Sequence, residues 1–155
     1  MNILFLDVDG VLNHDNSKAM CGGLIGISDC NLKVLKQIID LYDFKVVLSS
    51  TWRHSWNTED NCDRYMKNKF RKFDIKILDI TSTKTSDGNR GMQIIEWLKS
   101  HNVDKWVVLD DEIFNDFEQY GIIENLVKTK FYNGGGLKEE HIDIVKNIME
   151  GKYNY

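Results

Sequence analysis

Short unbroken apolar runs alternate along this chain with stretches in which apolar residues recur every three or four positions. The runs are Asn2 to Val8, Phe44 to Leu48, Ile75 to Leu78, Trp106 to Leu109 and Leu126 to Lys128. Runs of this kind suit strands covered on both faces. After the first of them, Leu32, Leu35, Ile38, Ile39 and Tyr42 fall on one face of a helix that Ser28 or Asp29 can cap. The spacing predicts further helices over 58–73, 90–100, 113–119 and 138–149. The first of these has Thr58 as N-cap and Tyr65, Met66 and Phe70 inward; the second has Met92, Ile94, Ile95, Trp97 and Leu98 inward. Residues 9–27 are too irregular to assign, and 81–89 reads as a polar loop. Strand and helix patterns that alternate from end to end predict an α/β fold. We expect a doubly wound, mostly parallel sheet of about five strands with helices on both faces, and one domain over residues 1–155.

That layout gives the polar residues their meaning. Asp7 and Asp9, Ser49, and Asp110 with Asp111 all follow apolar runs, so they fall at the carboxyl ends of strands. In an open parallel sheet this edge holds the binding crevice. Asp-Val-Asp-Gly alone is also a common turn sequence, and Ser49-Ser50-Thr51 alone could simply cap the next helix. Asp110 and Asp111 are more informative. Two adjacent acids ending a buried strand repel each other, and a hard cation such as magnesium relieves that repulsion. One of them could instead cap the helix near Ile113.

Composition narrows the classes. The 155 residues carry a formal charge of −4, with 42% hydrophobic and 28% charged positions, ordinary for a globular protein. This balance gives no support for a broad basic nucleic-acid face, though a local basic patch remains open. No apolar run approaches a membrane span, and the start lacks a basic leader, so a cytoplasmic setting with no membrane partner is expected. Cys21, Cys30 and Cys62 are an odd number without Cys-x-x-Cys spacing, which favours free buried or half-buried thiols over disulfides or zinc. Proline is absent. The glycines at 134–136 lack the Lys-Ser/Thr of a nucleotide-binding loop and read as a plain connection.

Taken together, order, spacing and strand placement resemble the haloacid dehalogenase-like (HAD) superfamily over about residues 1–130. Phe5-Leu6-Asp7-Val8-Asp9-Gly10-Val11 looks like its first motif, Val46-Val47-Leu48-Ser49 its second and Val107-Val108-Leu109-Asp110-Asp111 its fourth. The resemblance implies a HAD-like Rossmannoid fold and a magnesium-dependent phosphatase. It implies that Asp7 attacks phosphorus to form an aspartyl-phosphate, and that Asp9 serves as acid and then base. Ser49, helped by the Ser50 backbone N–H, would bind a phosphoryl oxygen. Magnesium would be held by Asp7, the Asp9 carbonyl and Asp110, with Asp111 binding or orienting through water.

The third motif is a cation, and two residues qualify. Arg90 lies 20 residues before Asp110 at a helix start, and Lys84 lies 26 before it in the loop. Arg90 is favoured, because helix entry fixes its direction and its fork suits a phosphoryl group. Gly10, Arg53 and Lys84 are further candidates for contact with substrate, Arg53 because it closely follows the second motif. Trp52 could stack on a base, but a core position is the plainer reading.

The gaps after the first and second motifs leave no room for a sizeable cap domain. A narrower resemblance is to the small phosphatase domains of nucleic-acid end repair, of the phage polynucleotide kinase-phosphatase type. It rests on Asp7 to Asn13, Leu48 to Arg53 and Arg90 to Leu98, with the pattern of the tail from Leu126. A nucleic-acid 3′-phosphate end is therefore one expected substrate, and a free nucleotide or other small phosphate ester the alternative. A receiver-type phosphoacceptor would need paired acids first and a lone Asp in the middle, the reverse of this order. A non-catalytic relative has nothing in its favour, since every motif position is filled.

Overall fold

A computed structural model describes residues 1–152 of the chain. Five parallel strands form one sheet in the order β5-β4-β1-β6-β7. They are β1 (Asn2–Leu6), β4 (Phe44–Leu48), β5 (Ile77–Ile80), β6 (Lys105–Asp110) and β7 (Leu126–Lys128). Two two-residue strands, β2 (Met20–Cys21) and β3 (Leu24–Ile25), pair as a separate antiparallel hairpin. Four helices accompany them: α1 (Asp29–Tyr42), α2 (Asn61–Lys72), α3 (Arg90–Lys99) and α4 (Glu140–Met149).

Alternation along β1 explains the two-sided core. Leu4 and Leu6 point into one apolar cluster with Leu32 and Leu35 of α1, Met66 and Phe70 of α2, and Val145 of α4. Ile3 and Phe5 point into the other, with Ile94 and Trp97 of α3 and with Phe117 and Ile122. A strand buried on both faces must be apolar at every position, which is why β1 shows no period of two. The doubly wound, parallel arrangement expected from the pattern is the one observed, and no cap domain interrupts it among the described residues.

Several local expectations are corrected. Helix α2 starts at Asn61 with Asp60 as N-cap, not at Thr58. Asn57 and Glu59 both take left-handed backbone angles that a helix cannot contain, while the Thr58 hydroxyl donates to the Ser55 carbonyl. Strand β5 starts at Ile77 rather than Ile75, because Asp74 turns left-handed and the Ile75 N–H donates back to Phe70 to close α2. Ser28 is the N-cap of α1 by position, without a capping bond from its side chain. Helix α4 begins at Glu140, with the Lys138 N–H donating to His141 Nδ1 just before it. Residues 113–119 form turns instead of a helix. There Phe117 is drawn into the core and Asp116 reaches across to α3, so tertiary contacts replace helical ones. The β2–β3 hairpin was illegible because two-residue strands have no period. All three cysteines are free; Cys21 is buried and Cys62 half-buried as expected, but Cys30 is exposed.

Candidate active site

Strand register assembles the site. Leu6 of β1 lies beside Leu48 of β4 and Leu109 of β6. The ladder then continues one residue further: Asp7 N–H donates to Leu109 O, Ser49 N–H to Leu6 O, Thr81 N–H to Leu48 O and Thr129 N–H to Asp110 O. Asp7, Ser49, Thr81, Asp110 and Thr129 therefore stand in a row along the carboxyl edge. Residues up to 122 positions apart in sequence meet because parallel strands end together.

At the centre of the row, Asp7 is 5% exposed and Asp110 fully buried. Arg90 joins them from the first position of α3. Its Nη1 donates to Asp110 Oδ2 at 2.7 Å and lies 3.4 Å from Asp7 Oδ1, and its guanidinium stacks on Phe114 at 4.2 Å. Burial holds the Asp7 carboxyl well above the usual carboxylate range; Asp110 pushes the same way and Arg90 opposes. Burial likewise raises Asp110, again against Arg90, and burial with the Asp110 charge raises Asp111. For Arg90 burial works against the charge, but Asp7 and Asp110 outweigh it and hold the guanidinium above its ordinary value. Asp7, Asp110 and Asp111 each present a carboxylate oxygen within 4.8 Å of one another. Three hard oxygen donors in mutual repulsion fit a divalent cation of the magnesium type.

Two polar side-chain atoms beside this centre, Ser49 Oγ and Arg90 Nε, are buried without a partner, as is Thr81 Oγ1 two strands along the same edge. Orphaned groups of this kind cost stability, so their clustering at one edge points to a ligand that satisfies them.

Asp9 occupies a different setting. Its backbone follows Asp7 by two residues, but its carboxylate is exposed and accepts from Trp52 Nε1 at 3.1 Å and from Asn13 Nδ2 at 2.9 Å. Trp52 packs in the first apolar cluster, the core position expected of it, and from there its indole N–H aims the acid. It is placed by a short 3-10 turn over Thr51–Ser55, opened by the Ser50 hydroxyl accepting from the Trp52 N–H.

Two glycines permit close approach. Gly10 has φ +81°, and a Cβ there would lie 2.2 Å from Asp111 Oδ2. Gly91 lies under Asp116, whose carboxylate accepts from the Gly91 and Met92 N–H groups and so caps the helix that carries Arg90.

Two of the expected substrate contacts, Arg53 and Gly10, have their polar groups engaged within the protein. The guanidinium of Arg53 is turned inward, bonded to the Ser82 and Ser50 carbonyls, Asp87 and Gln93, so it ties the 82–87 loop to the sheet edge and cannot grip a phosphate where it stands. Gly10 is buried, with its N–H donated to Asn13 Oδ1 and its carbonyl accepting from Thr129 Oγ1, which makes it a support. Lys84 is exposed on the loop after β5, and the cation beside Asp7 is Arg90. Asn13 and Thr129 fall within the segments that carry the narrower resemblance, whereas the supporting role of Asp116 left no signal that sets it apart from an ordinary loop residue.

Among the described residues no helix is long and apolar enough to cross a membrane. No curated protein matches the chain. The family described as the HAD domain in Swiss Army Knife RNA repair proteins matches residues 3–142, a span that contains Asp7, Asp9, Ser49, Arg90, Asp110 and Asp111, and the chain belongs to that family.

Proposed function

We propose that the chain is a magnesium-dependent phosphomonoester hydrolase that works through an aspartyl-phosphate and acts on nucleic-acid ends. The observation that carries this is the contact of Asp7, Arg90 and Asp110 beside the unpartnered Ser49 hydroxyl. A buried nucleophile, a fixed cation and an unsatisfied donor are the parts that phosphoryl transfer needs within a few ångströms.

Asp7, Asp110 and Asp111 would hold the magnesium, which when bound neutralises charge on the phosphoryl group and keeps the carboxylates ionised. A carboxylate oxygen of Asp7 attacks phosphorus, and the bond from phosphorus to the ester oxygen breaks. Arg90 and Ser49 bind the phosphoryl oxygens as charge shifts. Asp9, held by Trp52 and Asn13, gives its proton to the departing oxygen. It then takes a proton from water, whose oxygen attacks phosphorus and releases phosphate while Asp7 regains its carboxylate. The family's connection with RNA repair favours a nucleic-acid end over a free nucleotide or other small ester as substrate.

The test is phosphate release with magnesium from 3′-phosphorylated and 5′-phosphorylated oligonucleotides, free nucleotides and 4-nitrophenyl phosphate. Turnover that needs magnesium and favours an oligonucleotide end is expected. Preference for a small ester removes the nucleic-acid assignment, and no turnover of any ester removes the phosphatase assignment.

A further inference from the structure

Next to the site the crevice widens into a cavity of about 560 Å³. Asp9 and Asp111 are part of its wall, and the rest is largely apolar: Leu24, Ile25, Trp52, Phe131 and Tyr132. Leu24 is 60% exposed and Tyr132 70% exposed. Single exposed apolar residues are ordinary, but these two share one cavity with the catalytic carboxylates. Both walls are held in place. On one side, the Ile27 N–H at the foot of the β2–β3 hairpin donates to the Tyr65 hydroxyl on α2. On the other, Asp15 accepts from the N–H groups of Asn133 and Gly134 while its own N–H donates to the Phe131 carbonyl. The rings of Phe131 and Tyr132 meet edge to face at 5.2 Å. The result is a preformed aromatic and aliphatic pocket, not a loose patch.

Its position fixes what it can hold. Asp9 protonates the oxygen that departs, so the body of the leaving group lies on the Asp9 side of phosphorus, where this pocket opens. The same segment of chain also carries positive charge. Lys128, Lys130 and Lys138 line a second cavity of about 280 Å³, with Glu140 and His141 among its other walls, and Lys130 directly precedes Phe131 in the chain. In a chain of net charge −4 this is a local concentration of cations. Aromatic faces beside a cationic surface are a means by which proteins hold single strands.

Building on the phosphomonoesterase reading, we propose that the pocket takes the terminal nucleobase of a single-stranded nucleic-acid end. The base stacks on Tyr132 between Leu24 and Phe131, and Lys128, Lys130 and Lys138 meet the adjacent phosphates. The base is therefore part of what the protein recognises, and a duplex end must fray before it is processed.

The test compares two 3′-phosphorylated RNA oligonucleotides, one with a normal terminal nucleotide and one with an abasic residue in its place, with β-glycerophosphate as a baseless ester. Wild-type protein is expected to favour the normal end by roughly tenfold or more in kcat/KM, the range of a single base–aromatic stack. Tyr132→Ala, a change at an exposed position, is expected to bring that ratio close to one. Equal use of both ends by the wild type, or a ratio kept by Tyr132→Ala, overturns the pocket even while β-glycerophosphate is hydrolysed. No hydrolysis of any of the three overturns the phosphatase reading, and the pocket's role with it. In the non-hydrolysing Asp7→Asn background, Lys128→Ala with Lys130→Ala is expected to lower the log–log salt slope of oligonucleotide binding by roughly 1.4, for two single-strand phosphates lost. An unchanged slope removes the lysines from the path of the strand.

Discussion

Asp7 and Asp9 are two residues apart, yet Asp7 is buried among Asp110, Asp111 and Arg90 while the Asp9 carboxylate faces the open cavity. The first belongs to the floor of the crevice, where each position follows from strand register and core burial. The second belongs to the rim, where side chains are held by single hydrogen bonds from Trp52 and Asn13. A buried carboxylate between like charges is destabilised for the folded chain and poised for an electrophile; an exposed one can exchange protons with water and leaving group. Position relative to the sheet edge, more than residue type, gives two aspartates two roles.

Replacing each in turn is the strongest test of that division. Asp7→Asn is expected to lower kcat by roughly four orders of magnitude or more, the scale of losing a nucleophile. Because it also removes one of three repelling carboxylates, its thermal midpoint without metal should equal or exceed that of the wild type. A near-normal rate would end the nucleophile assignment. Asp9→Asn should lower turnover by roughly 10² to 10⁴. With 4-nitrophenyl phosphate, whose leaving group needs no acid, it should release one equivalent of nitrophenol quickly and then stall, because the second step still needs a base. A steady rate without a burst would mean that Asp9 does not act in that second step.

Trp52→Phe keeps the ring and removes the N–H that holds Asp9. Loss of one hydrogen bond to a charged group corresponds to about 1.5–3 kcal/mol. We expect kcat to fall roughly tenfold or more, with the thermal midpoint almost unchanged, since the ring still packs near Tyr65. A fall in stability with no change in kcat would leave Trp52 with a packing role alone.

The floor was readable in the sequence and the rim was not, for a physical reason. Apolar runs at Asn2 to Val8 and Trp106 to Leu109 force strands, strands in a parallel sheet end together, and so Asp7, Ser49 and Asp110 had to meet. Nothing periodic marks the Met20–Ile25 hairpin or the turns at 113–121, whose shapes are set by contacts with distant residues. Arg53 was misplaced for a related reason. Its nearness to Ser49 in sequence was visible, but the direction of its side chain depends on Ser82, Asp87 and Gln93, about 30 to 40 residues away. Asp116 is the clearest case. It lies in a segment whose apolar spacing suggests a helix, yet it caps α3 across 25 residues of chain.

That cap supplies the finest test, because it anchors the first turn of the helix that carries Arg90. A Cβ at Gly91 would stand 2.7 Å from Asp116 Oδ1 and 3.2 Å from the Asp116 carbonyl oxygen, so Gly91→Ala must displace the Asp116 side chain. Losing such a cap costs about 1 kcal/mol, while alanine in place of glycine in a helix gains about the same. The thermal midpoint should therefore barely move. Arg90 is the neighbouring residue, and its reach to Asp7 depends on how the first turn of α3 is anchored. A small rotation of that turn should reduce kcat several-fold while leaving the fold intact. Full activity in Gly91→Ala would show that Asp110 alone is enough to hold Arg90 in place, and that the glycine serves the helix and not the chemistry.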